Sequence, residues 1–197
     1  MTARLTMISH GATPATRGAR FPDDDALEAA AEREAARVAA ALLPIRRVLT
    51  SPVLAARQTA AHFLPDFAID AALADCDHGR WRGRGLMQIH TEEPENLAAW
   101  MTDPDAMPHG GESLTALIGR VSGWLDTRLG DHGRMIAITH GAVMRAAIVA
   151  VLAAPAQAYW RIDIEPLGLI ELTSDGTRWR VRAAMPYSSE EGRATGA

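Results

Sequence analysis

Apolar positions along this chain follow two rhythms: short, near-continuous runs that stop at a turn residue, and longer stretches that recur with helical spacing. Arg4 to Ser9 (RLTMIS) is of the first kind and ends at His10-Gly11, which predicts a buried strand opening into a loop. Arg47 to Thr50 (RVLT) and Arg134 to Thr139 (RMIAIT) repeat the pattern, and the latter ends at His140-Gly141. Further strands are expected at Phe67 to Leu73, Tyr159 to Ile164, Gly168 to Thr173 and Arg178 to Ala183. Helical spacing covers Asp25 to Leu43, which is rich in Ala, Glu, Arg and Leu and is stopped by Pro44. It returns in VLAARQTAAHFL, where Ser51-Pro52 supplies an N-cap and a proline at the first helical position. A third run, Leu114 to Leu129, puts Leu114, Leu117, Val121 and Leu125 on one face, and a fourth is AVMRAAIVAVL. The loop after His10 carries Pro14, Gly18 and Pro22. Asp75 to Pro108 mixes Gly, Arg, Trp and Pro around two short helices, Leu86 to His90 and Glu93 to Met101, and reads as an irregular rim over a site.

Strands alternating with helices predict an α/β layered fold with a mainly parallel sheet, and the closing run of strands predicts an antiparallel edge. With 197 residues the chain fits one core, assigned to residues 1–187, with 188–197 (SSEEGRATGA) expected as a disordered tail. The formal net charge of -4 gives no reason to expect nucleic acid or an anionic membrane as partner. No run approaches the ~20 apolar residues of a membrane helix, and the amino terminus lacks the charged and apolar regions of a leader. A single cysteine, Cys76, excludes an internal disulfide and favours the cytoplasm.

The chemistry is suggested by repetition. LTMISHGAT near the start and MIAITHGAV far downstream each place a strand, a small hydroxyl residue, a histidine and a glycine in series. In open α/β sheets ligands collect at the carboxyl ends of parallel strands, where a glycine lets the backbone turn close to the ligand. If the two strands are neighbours, His10 and His140 converge on one pocket, with helix N-termini behind them that favour an anion. One imidazole can then act as nucleophile while the other stabilises charge or carries a proton.

LTMISHGAT, SPVLAARQTA, LADCDHGRWRG, PHGGESL and ITHGAVMR stand in the order and approximate spacing of the histidine phosphatase (phosphoglycerate mutase-like) superfamily, which the chain resembles from about Leu5 to Trp179. That resemblance implies a three-layer α/β/α sandwich and hydrolysis of a small, anionic phosphorylated substrate through a phosphohistidine at His10. His140 would be the second pocket histidine, and Asp75 would stand where the family carries a glutamate general acid. Ser9, Gly11, Glu112 and Ser113 fall in the matching motifs and are expected around the substrate. No cofactor or metal is implied.

Two family arginines are missing. Ser9 occupies the place before the first histidine and Ala55 the fifth place of SPVLAARQTA. A charge-assisted hydrogen bond contributes about 1.5–3 kcal/mol, so each loss weakens phosphate binding by roughly 10- to 150-fold. Arg57 is turned roughly 200° from position 55 on a helix and is expected to point elsewhere. Arg80 and Arg82, with Arg84, make a basic loop in HGRWRGRG that either meets an anionic substrate from the rim or is simply solvated. Arg17 and Arg145 are further cations near the two histidine motifs.

Other chemistries are weaker. HExxH and paired-cysteine spacings are absent, so the scattered histidines predict no metal site. Cys76 to Arg82 has the C-x5-R spacing of a cysteine phosphatase, but the flanking Asp75 and Asp77 would raise the thiol pKa. The alternative kept open is a superfamily fold that has lost phosphatase activity and binds a ligand or partner, or runs other acid/base chemistry in the same pocket.

Overall fold

The computed structural model describes residues 3–42 and 44–182. Six strands form one sheet: β1 (Ala3–Ser9), β2 (Val48–Thr50), β3 (Ala68–Ile69), β4 (Gly133–Thr139), β5 (Leu169–Ser174) and β6 (Trp179–Arg182). Their order is β3-β2-β4-β1-β5-β6. The first four are mutually parallel, whereas β5 runs antiparallel to β1 and β6 antiparallel to β5. This is the mainly parallel sheet with an antiparallel edge that the alternation of elements predicts.

Helices α2 (Ala29–Leu42) and α3 (Leu54–Phe63) cover one face of the sheet, and α6 (Leu114–Thr127) and α7 (Gly141–Val151) cover the other. The strand period of two sorts the side chains between the layers. Leu5 and Met7 of β1 and Met135 and Ala137 of β4 join the core under α6 and α7, while Ile8, Ile136 and Ile138 join the core under α2 and α3. Both central strands are therefore apolar on both faces, which is why they read as unbroken apolar runs. A smaller cluster of Phe21, Trp81, Ile89 and Leu97, with Trp100 packed on it, holds α4 (Leu86–Glu92) and α5 (Pro94–Thr102) beside the carboxyl ends of the strands.

Four expectations are corrected. Tyr159 to Ile164 is no strand: Ala156–Arg161 winds into a 3-10 turn behind Pro155, because β5 already occupies the place beside β1. Phe67 to Leu73 contributes only two strand residues before the Asp70 carboxylate accepts the Ala72 N–H at 3.0 Å and turns the chain. The loop after His10 contains a short helix, α1 (Pro14–Arg17), built on a reciprocal cap between Thr13 and Thr16 with proline at the first helical position. The helix expected from Asp25 begins at Ala29, since the Leu27 and Glu28 N–H groups are donated to Gln58 and Ala12 instead. The expected tail at 188–197 lies outside the described residues.

Candidate active site

Strand register brings the two histidine motifs together. Ser9 pairs with Thr139 across β1 and β4, and the His10 N–H donates to the Thr139 carbonyl at 2.8 Å. His10 and His140 thus leave neighbouring parallel strands at the same level, and their rings meet edge to face with centroids 5.0 Å apart. β2 ends one strand further on, where the Ser51 N–H bonds the Ile138 carbonyl at 2.9 Å.

The protons on both rings follow from their partners. His10 Nδ1 lies 2.7 Å from the Gly11 carbonyl, which can only accept, so Nδ1 carries the proton and Nε2 keeps a free lone pair. Ser51 Oγ accepts the Val53 N–H at 3.2 Å and lies 2.7 Å from His140 Nε2, and it donates to that nitrogen because the Asp75 carboxylate, which can only accept, takes the ring proton on the other side. The His140 proton then sits on Nδ1, which faces Asp75 Oδ2 at 3.5 Å. His140 is almost fully buried, and that burial drives it down to about 4 against the opposing pull of the Asp75 carboxylate. It is neutral at neutral pH.

Asp75 reaches the pocket from the loop after the Ala71–Leu73 turn, with its side chain 17% exposed. Desolvation pushes its carboxyl up, but the imidazoles of His140, His78 and His10 and the Cys76 N–H outweigh it and hold the group below its ordinary value. The backbone of this loop is clamped by Arg120 of α6. Its guanidinium donates to the carbonyls of Ala72, Ala74 and Asp75 at 2.7–3.3 Å and forks onto both oxygens of Glu112 at 2.7 and 2.8 Å. A second lock is steric. A Cβ on Gly111 would fall 2.0 Å from the Asp77 carbonyl oxygen, and one on Gly79 would fall 2.2 Å from that of His109.

Ser9, His10, Asp75 and His140 line one cavity of about 800 Å³, together with His78, Arg145 and an aromatic wall. Other expected contacts are not brought there. Gly11 serves helix packing, since a Cβ would sit 3.1 Å from Ala31 Cβ. Glu112 is held by Arg120, and Ser113 caps α6 by accepting the Ala116 N–H at 3.1 Å. Arg80 and Arg82 do not line the cavity either: Arg80 bonds Glu93 and the Pro108 carbonyl, and Arg82 pairs with Asp77 at 3.3 Å. Arg84 is likewise bound to Glu92 and Glu93. Acidic partners from α4 and the loop after it explain the charge of this stretch.

Neither missing arginine is replaced in place. Ser9 lines the cavity but its hydroxyl donates to the Glu165 carbonyl at 2.6 Å, and Ala55 is buried within α3. Arg57 does not line the cavity, as its helical offset predicts. Among the arginines that do, Arg17 pairs with Glu28 and Arg20 with Asp25. Arg145 has no carboxylate partner among the described residues; it lies over the Tyr159 ring at 5.5 Å with its buried Nε unbonded. Cys76 is buried, and desolvation with the Asp75 charge pushes its thiol far up, so it is no nucleophile. Among the described residues no group of three or more histidine, cysteine or acidic side chains is arranged to hold a metal ion, and no helix is long and apolar enough to cross a membrane.

The family model for the histidine phosphatase superfamily (branch 1) matches residues 5–185. The chain belongs to that superfamily. An adenosylcobalamin/alpha-ribazole phosphatase of Salmonella typhi is 32% identical over 117 residues, covering 57% of this chain and 54% of the relative. Phosphoserine phosphatase 1 of Hydrogenobacter thermophilus is 29% identical over 91 residues, covering 45% of this chain and 43% of the relative. The chain thus spans about half the length of the curated relatives it matches. A mycobacterial glucosyl-3-phosphoglycerate phosphatase in complex with VO3 superposes with a TM-score of 0.81 at 23% identity, over 91% of this chain and 96% of that one. At the two positions where the resemblance implies arginines, this member of the histidine phosphatase superfamily carries Ser9 and Ala55.

Proposed function

We propose that this protein hydrolyses phosphomonoesters through a phosphohistidine at His10. The observation that carries the reading is the tautomer: a backbone carbonyl holds the His10 Nδ1 proton and leaves the Nε2 lone pair free, beside a neutral imidazole and a carboxyl group in one cavity. His10 Nε2 attacks phosphorus as the ester P–O bond breaks, and the departing alkoxide takes the proton of Asp75. Water then attacks the phosphohistidine and gives a proton back to the Asp75 carboxylate, releasing inorganic phosphate and restoring His10. Asp75 is ionised in the resting pocket, and a bound phosphate dianion raises its pKa by like-charge repulsion, loading it with the proton it must donate. His140 Nδ1–H donates to a phosphoryl oxygen, and Arg145 supplies the cation that positions 9 and 55 lack. The phosphatase names of the sequence relatives agree with this reading.

Residues 1–187 are read as one domain because both helical layers pack on one sheet. The lone buried thiol suits the cytoplasm.

The test is phosphate release from a panel of phosphomonoesters, together with rapid-quench trapping of acid-labile, base-stable phosphohistidine. Release and trapped phosphoenzyme should both appear in the native chain, and His10→Ala should lose at least ~1,000-fold in rate. Native chain with neither signal above the variant overturns the reading in favour of a binding role.

A further inference from the structure

The cavity is much larger than a phosphoryl group and changes character away from the histidines. Its floor is polar, but its outer wall is aromatic and aliphatic: Phe21, Leu86, Trp100, Met101, Trp160 and Ile164. Trp100 comes from α5 and Trp160 from the Ala156–Arg161 turn, and their rings meet at 4.8 Å and 75°. Phe21 packs on the Trp100 edge at 5.7 Å and on the His78 ring at 4.8 Å. Both tryptophans keep part of their surface free, and Leu86 and Met101 are 39% and 49% exposed. Apolar side chains left uncovered around a concave, partly polar site are the usual makeup of a pocket for an apolar ligand group.

Charge argues the same way. Arg17 and Arg20 are already matched by Glu28 and Asp25, which leaves Arg145 as the lining arginine without a carboxylate partner among the described residues. A substrate carrying carboxylates besides its phosphate finds no second free lining arginine, and it meets Glu165 in the lining.

Resting on the phosphatase reading for its floor, we infer that this cavity selects phosphomonoesters whose alcohol carries an aromatic or similarly large apolar group. Small polyanionic phosphates are disfavoured. The ring of the alcohol lies against the aromatic cluster that Trp100, Trp160 and Phe21 form along the cavity wall, while its phosphate meets His10 and Arg145.

Phosphonates test this without turnover, because they have no ester bond to break. Calorimetric titration of the full chain should show benzylphosphonate binding about 30-fold tighter than methylphosphonate, the gain expected from burying one phenyl ring. Trp160→Ala should bring that ratio close to one, and Leu86→Asn, at an exposed rim position less able to disturb folding, should lower it several-fold. In turnover, 2-phenylethyl phosphate should exceed ethyl phosphate in kcat/KM by a similar factor, the two leaving alkoxides being alike. Equal affinities for the two phosphonates overturn the inference whatever the activity. A benzyl preference without hydrolysis of any ester supports the apolar subsite and overturns only the phosphatase reading.

Discussion

The Ser51 oxygen accepts the Val53 N–H while its hydroxyl donates to His140 Nε2, which keeps the ring proton on Nδ1 facing Asp75. Ser51→Ala leaves a buried imidazole nitrogen unpaired, which should cost about 1–3 kcal/mol in urea unfolding. It also frees the ring to take the other tautomer, so kcat should fall about 10-fold; an unchanged kcat would remove Ser51 from the proposed machinery. Asp75 has a sharper signature, because a general acid matters only when the leaving group needs a proton. Asp75→Asn should lower hydrolysis of alkyl phosphates by at least ~100-fold and of p-nitrophenyl phosphate far less. Equal losses on both would point to a binding role for Asp75. His10, His140 and Asp75 were all legible in the sequence. The sequence offered Ser51 only as a helix cap, a place Val53 takes instead because α3 begins at Leu54, although Ser51 too stands at the end of a parallel strand, β2.

At the scale of elements, the loop carrying Asp75 has little regular structure and is held from outside. Arg120, two turns into α6, bonds three carbonyls of that loop while its fork engages Glu112. Arg120→Met should cost about 2–3 kcal/mol, since it strands the Glu112 carboxylate and three carbonyls together. It should also lower kcat more than it raises KM, because Arg120 orients the acid without touching substrate; Arg120→Lys, which can bond fewer of these oxygens, should restore only part of the loss. A variant with normal kcat and lowered stability would make the clamp purely structural. No sequence signal announced it: Glu112 and Arg120 are joined by the α6 start, and the carbonyls lie more than forty residues away.

Across the whole molecule, the buried imidazoles set an acid limit on stability. Desolvation lowers His78, His109 and His140, the last to about 4, so in the unfolded chain each binds a proton at a higher pH than in the native state. Between pH 6.5 and 4 the unfolded state therefore holds more protons, and stability must rise with pH across that window and be lost as pH falls through it. Asp75 adds loss in the same direction at lower pH, because its native carboxyl lies below the ordinary value. Urea midpoints at pH 4.5 and 7 should differ clearly in the native chain, and His140→Gln should flatten part of the slope. A native chain equally stable at both would show that the imidazoles protonate in place.

What the sequence determined by itself was local and periodic: the apolar runs of β1 and β4, the helices between them, and a histidine and glycine at each strand end. Those follow from near neighbours along the chain, through backbone geometry and the alternation of buried faces. Tertiary structure alone decided that β1 and β4 are adjacent, which turned two similar motifs into one site. It also decided which charges are spent. The basic stretch at 80–84 could not be told from a substrate loop in one dimension, because Glu92, Glu93 and Asp77 neutralise it only after α4 folds back beside it. Arg145 keeps its charge available for the opposite reason: the chain brings it an aromatic ring in Tyr159 and no carboxylate among the described residues. Ion pairs of this kind join residues from separate turns and loops, so their outcome rests on packing geometry that no periodicity along the chain encodes.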